Sequence, residues 1–170
     1  MPIQRLNHAV LYVRDVEESG SFYRDVLGFR TVTEIPGRAL FLQAAGSTND
    51  HDLGLFAVGA RAGDSPAGQT TVGLYHLAWE VDTLTELGRV EERLAAAGSL
   101  VGSSDHGTTK ALYAKDPNGI EFEVCWLVPA DRLTDDMHSV PRQELDIEAE
   151  IARFGADTRG GVGVSTPALA

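Results

Sequence analysis

Glutamate, histidine and tyrosine stand in this chain at spacings that could hold a metal ion and move a proton. The stretch "YAKDPNGIEFEVCW" (113–126) places Glu121 and Glu123 just after Asp-Pro-Asn-Gly, a good type I turn. Beyond the turn, apolar residues alternate with period two. Glu121, Glu123 and Cys125 then share one face of a strand, and Phe122, Val124 and Trp126 share the other. A carboxylate in apolar surroundings is costly to bury without a cation or strong hydrogen bonds. Taken alone, this is an edge strand with one wet face.

His8 and His76 give the glutamates a different setting. Each ends a Leu-x-His phrase at the head of a short apolar run. One histidine in an amphipathic strand is usually a hydrogen-bonded structural residue. Two at equivalent places in a repeat are harder to account for that way. If two similar modules pack with pseudo-twofold symmetry, the imidazoles converge and Glu123 supplies a charge. Two histidines and one carboxylate suit Fe(II), with Mn, Zn, Ni and Co as chemically possible substitutes. Three protein ligands on an octahedral ion leave three positions for water, substrate or O2.

The elements that must position these residues occur twice. "LNHAVLYVRDVEESGSFYRDVLGF" (6–29) and "LYHLAWEVDTLTELGRVEERLAAAGS" (74–99) each run from Leu-x-His through a strand to an acid and a helix. Asp15 with Glu18, and Thr83 with Glu86, have the pattern of helix starts; Gly28 and Gly98 suit the position just past each helix. Leu84, Leu87, Val90 and Leu94 are spaced as one buried face. Val16, Tyr23, Val26 and Leu27 do the same less cleanly. Further strands are expected at 30–34, 39–43 and 52–58, and again at 100–102, 110–114 and 120–127. The pattern is β-α-β-β-β twice, with a repeat of about 68 residues. The Gly-rich stretch 59–73 connects the copies within one domain, 1–128, whose modules are 6–58 and 73–128. From 129 to 170 there is a C-terminal extension. In it, 143–154 is expected to be a helix with Ile147, Ile151 and Phe154 on one face, and the chain beyond Gly155 a mobile tail. The fold class is α+β.

The 170 residues carry a net charge of −11, from 14 Lys+Arg against 25 Asp+Glu, which argues against nucleic acid and anionic membrane as partners. No apolar run approaches the roughly 18 residues of a membrane span, and no secretory signal opens the chain. A cytoplasmic setting is the expectation. The single cysteine, Cys125, excludes an intrachain disulfide and a cysteine-rich zinc site.

The double β-α-β-β-β pattern and the phrases "NHAVLYVRDVEESGSFYRDVLGF", "YHLAWEVD" and "LYAKDPNGIEFEV" resemble the vicinal oxygen chelate superfamily, which includes glyoxalase I, bleomycin-resistance proteins and type I extradiol dioxygenases. The resemblance covers about 6–127. It implies paired βαβββ modules forming a cupped mixed sheet around a metal site. It also implies His8, His76 and Glu123 as ligands, Glu121 as the wetter neighbour, and a homodimer. Glyoxalase I resemblance would further require a Glu or Gln on the last strand of the first module. In "HDLGLFAV" Gly54 stands near that place, with no carboxylate or amide before Val58.

The same strand is similar to the extradiol dioxygenases in another way. Their His-His-x-Leu/Ile-Ala/Gly phrase is matched at its second histidine by His51, while Asp50 replaces the first. Tyr113, ten residues before Glu123, falls where those enzymes bond a substrate hydroxyl, and His106 resembles a second active-site histidine. The implied activity is an Fe(II)-dependent extradiol ring cleavage of a catechol or related vicinal diol, with O2 as co-substrate. Those enzymes are nearly twice as long, with a second, non-catalytic module pair. The alternatives are an isomerase, epimerase or thiol transferase of the same fold, or a metal-free protein that sequesters a drug.

Overall fold

The structure is a computed structural model that describes residues 3, 5–68 and 70–161. It divides into two compact units. The first holds the described residues up to Pro66 together with Asp116–Ile120; the second holds the described residues of 67–115 and of 121–161. The unit boundary thus falls inside the Gly-rich connector.

In the first unit, β1 (Ala9–Val13), α1 (Val16–Asp25), β2 (Arg30–Ile35), β3 (Ala39–Gln43) and β4 (Leu53–Ala57) build a four-stranded mixed sheet. Its order is β1-β4-β3-β2, with β1 parallel to β4 and the other pairs antiparallel. Asp15 starts α1 by accepting hydrogen bonds from the backbone N–H groups of Glu17 and Glu18. The buried face of α1 is Val16, Ser19, Gly20 and Tyr23. Val26 and Leu27 are only half-buried, so the helix face differs from the expected one. Gly20 is the reason: a methyl group there would lie 2.3 Å from a Leu40 methyl, so the helix passes close to β3 through a residue with no side chain.

The Asp-Pro-Asn-Gly turn belongs to this unit. The Asp116 carboxylate accepts from the backbone N–H groups of Asn118 and Ile120, at 2.8 and 2.9 Å. Gly119 takes the positive φ, 79°, that closes the turn. The Asn118 side chain accepts from the Arg14 N–H and donates to Ser19 Oγ.

In the second unit, β5 (Leu77–Glu80), α2 (Leu84–Ala96), β6 (Leu100–Asp105), β7 (Thr109–Lys115) and β8 (Glu121–Leu127) repeat the pattern, in the order β5-β8-β7-β6. Leu84, Leu87, Val90 and Leu94 are the buried face of α2, as their spacing predicts. Phe122, Val124 and Trp126 are buried on one face of β8, opposite Glu121, Glu123 and Cys125. Two 3₁₀ turns, Ala130–Arg132 and Asp135–Ser139, lead to α3 (Ile147–Phe154). This helix is shorter than the expected 143–154 because Asp146 caps it, accepting from the Ala149 N–H.

Phe154 packs on Trp126, with ring centroids 5.4 Å apart, while Ile147 and Ile151 stay half-buried. The chain after Gly155 does not leave the body at once. Ala156 O accepts from the Thr85 N–H, Thr158 O from Trp126 Nε1, and the Gly161 N–H bonds Leu127 O. The rest of the expected mobile tail, 162–170, lies outside the described residues. Among the described residues no helix is long and apolar enough to cross a membrane.

Candidate active site

The face of the second sheet that carries Glu123 is set by strand register. Ala78, Glu123, Tyr113 and Gly102 stand side by side across β5, β8, β7 and β6. One step along, Cys125, Ala111 and Ser104 form the next row of the same face. His76 does not lie in β5, as its run predicted, but immediately before it, because ladder pairing starts at Leu77 with Phe122. His8 has the equivalent place before β1, whose pairing starts at Ala9 with Leu53.

Around this face the second unit gathers four of the expected residues. Nε2 of His76 lies 3.3 Å from Oε2 of Glu123, whose side chain is 12% exposed. Nδ1 of His76 is buried and has no hydrogen-bond partner among the described residues. The His76 ring is 6.1 Å from that of Tyr113, and Tyr113 Oη lies 2.9 Å from Nε2 of His106. Burial, and then the Glu123 charge, raises the Tyr113 phenol above its ordinary range, while Arg142 pulls the other way. Tyr113 therefore keeps its proton at neutral pH and is a hydrogen-bond donor. Burial, followed by the charges of Glu123 and Glu80, pushes the Cys125 thiol up to about 12, so it is a neutral thiol rather than a nucleophile. Glu121 shares the Glu123 face but sits at the strand's start, opposite Lys115.

The first unit holds the other two. Nδ1 of His8 is 2.8 Å from the Asn7 side-chain oxygen. In the tautomer whose Nδ1–H donates to that oxygen, Nε2 carries the lone pair. The His51 ring lies 4.5 Å from that of His8 and 5.2 Å from that of Phe41. Asp50, which replaces a histidine of the extradiol phrase, has its own task. Its carboxylate accepts from the His51 backbone N–H and faces Nδ1 at 3.2 Å. That backbone hydrogen bond, then the neighbouring imidazole, holds Asp50 below the usual carboxylate range.

Within neither unit do three His, Cys, Asp or Glu side chains stand together as a metal-holding group, among the described residues. Strand β4 offers no acid or amide from Leu53 to Ala57. A Cβ at Gly54 would meet Val10 and Phe41 at ordinary contact distances.

The sequence reading missed the polar ties that hold the C-terminal extension to this unit. Lys110, 0% exposed, pairs with Asp105 at 2.5 Å and with Glu150 of α3 at 2.9 Å. Gln143 exchanges two backbone hydrogen bonds with Asp105. Arg142 donates through Nε to Ser104 Oγ at 2.6 Å. The signal for Lys110 was present: it alternates with Leu112 and Ala114, so period two puts it on the buried face.

The Glyoxalase/Bleomycin resistance protein/Dioxygenase superfamily model matches residues 5–124. The chain is 31% identical over 128 residues to the catechol-2,3-dioxygenase of Bacillus subtilis (strain 168), covering 70% of this chain and 40% of that protein. It is 29% identical over 126 residues to a manganese-dependent 2,3-dihydroxybiphenyl 1,2-dioxygenase of Geobacillus genomosp. 3, covering 72% of this chain and 36% of that one. The chain thus spans well under half the length of these relatives. A glyoxylase/bleomycin resistance protein/dioxygenase domain from Frankia sp. EAN1pec shares the fold, with a TM-score of 0.62, 24% identity, and coverage of 73% of this chain and 92% of that one.

Proposed function

The chain belongs to the Glyoxalase/Bleomycin resistance protein/Dioxygenase superfamily, and we propose that within it the protein is a metal-dependent extradiol-type dioxygenase that opens the ring of a catechol or related vicinal diol. The observation that carries this reading is the His106–Tyr113 hydrogen bond, set on the same sheet face as the His76–Glu123 pair. A proton-carrying phenol and an imidazole beside an imidazole–carboxylate pair are what a diol needs for orientation and proton transfer.

His76 and Glu123 fit two ligands of a divalent ion. They face one another as an imidazole nitrogen and a carboxylate oxygen, and with Nδ1 unpartnered the polar capacity of His76 is not spent within the protein. His8 is the third ligand by its equivalent place in the repeat, with Nδ1 turned to the Asn7 side-chain oxygen and Nε2 the nitrogen left for the ion. Fe(II) is the metal proposed, with Mn the nearest substitute and Zn, Ni or Co as further ones. When bound, the ion supplies a positive charge that lowers the pKa of a substrate hydroxyl.

The chain's own groups do the rest. Tyr113 keeps its proton and donates a hydrogen bond to a substrate oxygen, which orients the ring. His106, with Nε2 at 2.9 Å from that phenol, then donates to the phenol oxygen and so can supply a proton beside the substrate. His51, with Nδ1 turned to Asp50, presents Nε2 as a base. The absence of an acid or amide on β4 favours this reading over a glyoxalase-type isomerase, whose fourth ligand would stand there. A homodimer in the cytoplasm is part of the same proposal.

The test is an oxygen electrode, with iron-loaded, reduced protein and a panel of catechols, run beside a glutathione–methylglyoxal assay. Stoichiometric oxygen uptake with a yellow ring-opened product is the expected result, cut strongly by Tyr113→Phe and His106→Ala. Turnover of the hemithioacetal without oxygen uptake would place the protein among the isomerases. Tight binding of a drug-like ligand to metal-free protein, with no turnover, would place it among sequestering proteins.

A further inference from the structure

The residues from 131 to 150 include seven acids and two arginines. Arg132 is committed to the backbone, donating to Phe154 O at 2.9 Å. Arg142 is not committed to any of the acids. Its Nε donates to Ser104 Oγ at 2.6 Å, and its Cζ lies 5.7 Å from the centre of the Tyr113 ring. Among the described residues no carboxylate pairs with it. Its two terminal nitrogens keep their donors.

The place of this guanidinium is fixed from both sides. Ser104 is 1% exposed, so its hydroxyl is a rigid acceptor. The next residue, Gln143, is held by backbone hydrogen bonds in both directions with Asp105, and by its side chain to Asp105 Oδ2. Close by, Gly107 leaves room for Met137 O: a side chain there would meet that oxygen at 2.1 Å. The extension therefore lies tightly on the loop that carries His106. Ser104 and Tyr113 share the sheet face of Glu123, so Arg142 stands over the same face. Beside Tyr113 in register is Gly102, where a side chain would meet nothing within 4 Å. The face is therefore open at Gly102, on the Tyr113 flank nearer Arg142.

We propose that Arg142 is a specificity-determining residue that binds a carboxylate on the substrate, so that the preferred substrate is a vicinal diol whose ring carries an acidic side group. The proposal rests on the diol reading above, and it names the substrate class of that site. The diol oxygens lie toward His76 and Glu123, Tyr113 flanks the ring, and the carboxylate meets the free guanidinium donors. A planar fork with one nitrogen anchored is well suited to hold a carboxylate through the remaining ones.

The test compares catechol and 4-methylcatechol with 3,4-dihydroxybenzoate and 3,4-dihydroxyphenylacetate, by oxygen uptake on the iron-loaded full chain. The wild type is expected to favour the acidic diols in kcat/KM by roughly 10- to 100-fold, the range of one charge-assisted contact. In Arg142→Gln that ratio should fall toward one, chiefly through KM, and Arg142→Lys should restore part of it. Ser104→Ala, which keeps the charge but frees Nε, should lower the ratio less. Thermal unfolding of each variant identifies one that fails to fold, in which case Ser104→Ala and Arg142→Lys decide. A wild type that prefers neutral diols, or an Arg142→Gln variant that keeps the acidic preference, overturns the proposal.

If no diol is turned over, the ring-cleavage reading falls, and calorimetric binding of 3,4-dihydroxybenzoate decides the anion site alone. Affinity about tenfold weaker in Arg142→Gln, and lowered by salt in the wild type, supports it; equal affinities overturn it.

Discussion

Glu121 and Glu123 show how little separates two identical side chains on one strand face. Glu123 faces His76 at 3.3 Å, whereas Glu121 stands at the strand's start opposite Lys115. Glu123→Ala should therefore lower metal affinity by more than the roughly 10- to 100-fold that loss of an outer-shell partner costs, while Glu121→Ala retains metal. Metal content of anaerobically purified variants checks this, and equal retention would show that Glu123 is not the metal's carboxylate. The alternation that separates the two faces of β8 was legible in the sequence, as were both glutamates. The partnership of Asp50 with His51 was not, because a replaced motif residue gives no sign of a new role until its carboxylate is seen at Nδ1.

Asp105 sets a pH dependence at the same scale. Burial raises its carboxyl, but hydrogen bonds from Lys110, Gly107 and Gln143 outweigh that and hold it below the ordinary range. A carboxylate depressed in the folded state adds stability above its unfolded pKa and loses it as the pH falls through the folded one. Stability to urea should thus decline from about pH 4 downward, and Asp105→Asn should show a shallower decline. Identical slopes for the two proteins would rule out this carboxylate as the source.

Among elements, α3 matters through one buried charge. Lys110 on β7 is wholly buried between Asp105 and Glu150. Lys110→Met leaves two buried acids without their cation and should cost about 3–5 kcal/mol. Lys110→Met combined with Glu150→Leu should recover part of that loss, as read by urea unfolding. An unaltered midpoint in the single variant would contradict the arrangement. The stripe of Ile147, Ile151 and Phe154 was legible, since helical spacing is a local property. Glu150 was not, because an acid on a helix reads as a wet position unless its cation, forty residues earlier, is already placed. Likewise α1 hid its true face behind Gly20, a residue that carries no hydropathy signal for close packing.

The Asp116 turn is a second element whose contribution can be measured. Its carboxylate accepts from two backbone N–H groups and from Tyr23. Asp116→Ala strands those donors and should destabilise by about 2–3 kcal/mol. Asp116→Asn, which keeps one acceptor oxygen, should cost less. Thermal unfolding of the two variants gives the order directly.

For the whole molecule, the extension after β8 is part of the second unit's core rather than an appendage. Ending the chain after Pro129 would remove Phe154 from Trp126, Glu150 from Lys110 and Arg142 from Ser104. The expected outcome is loss of cooperative unfolding in this unit, seen by calorimetry, together with loss of the preference for acidic diols. A truncated chain that unfolds like the full one would show that the extension is dispensable. The doubled βαβββ plan was legible at this scale because each copy repeats its own start, helix and turn signals. That the helix of the extension would bury its apolar stripe was legible too, but its particular partners, Trp126, Lys110 and Ser104, were not, since these contacts join segments far apart in sequence.

The distance along the chain between Lys110 and Glu150 has a consequence for how the protein is born. At about 5–20 residues per second, a ribosome needs some 2–8 s to add the forty residues that separate them. During that interval the nascent sheet already owns a lysine destined for its interior, with one counter-charge from Asp105 and none from α3. Until Glu150 is made, the hairpin that carries His106 and Tyr113 lacks one of the two carboxylates that meet Lys110. Slow codons between the two positions would prolong the interval in which that lysine has one counter-charge instead of two.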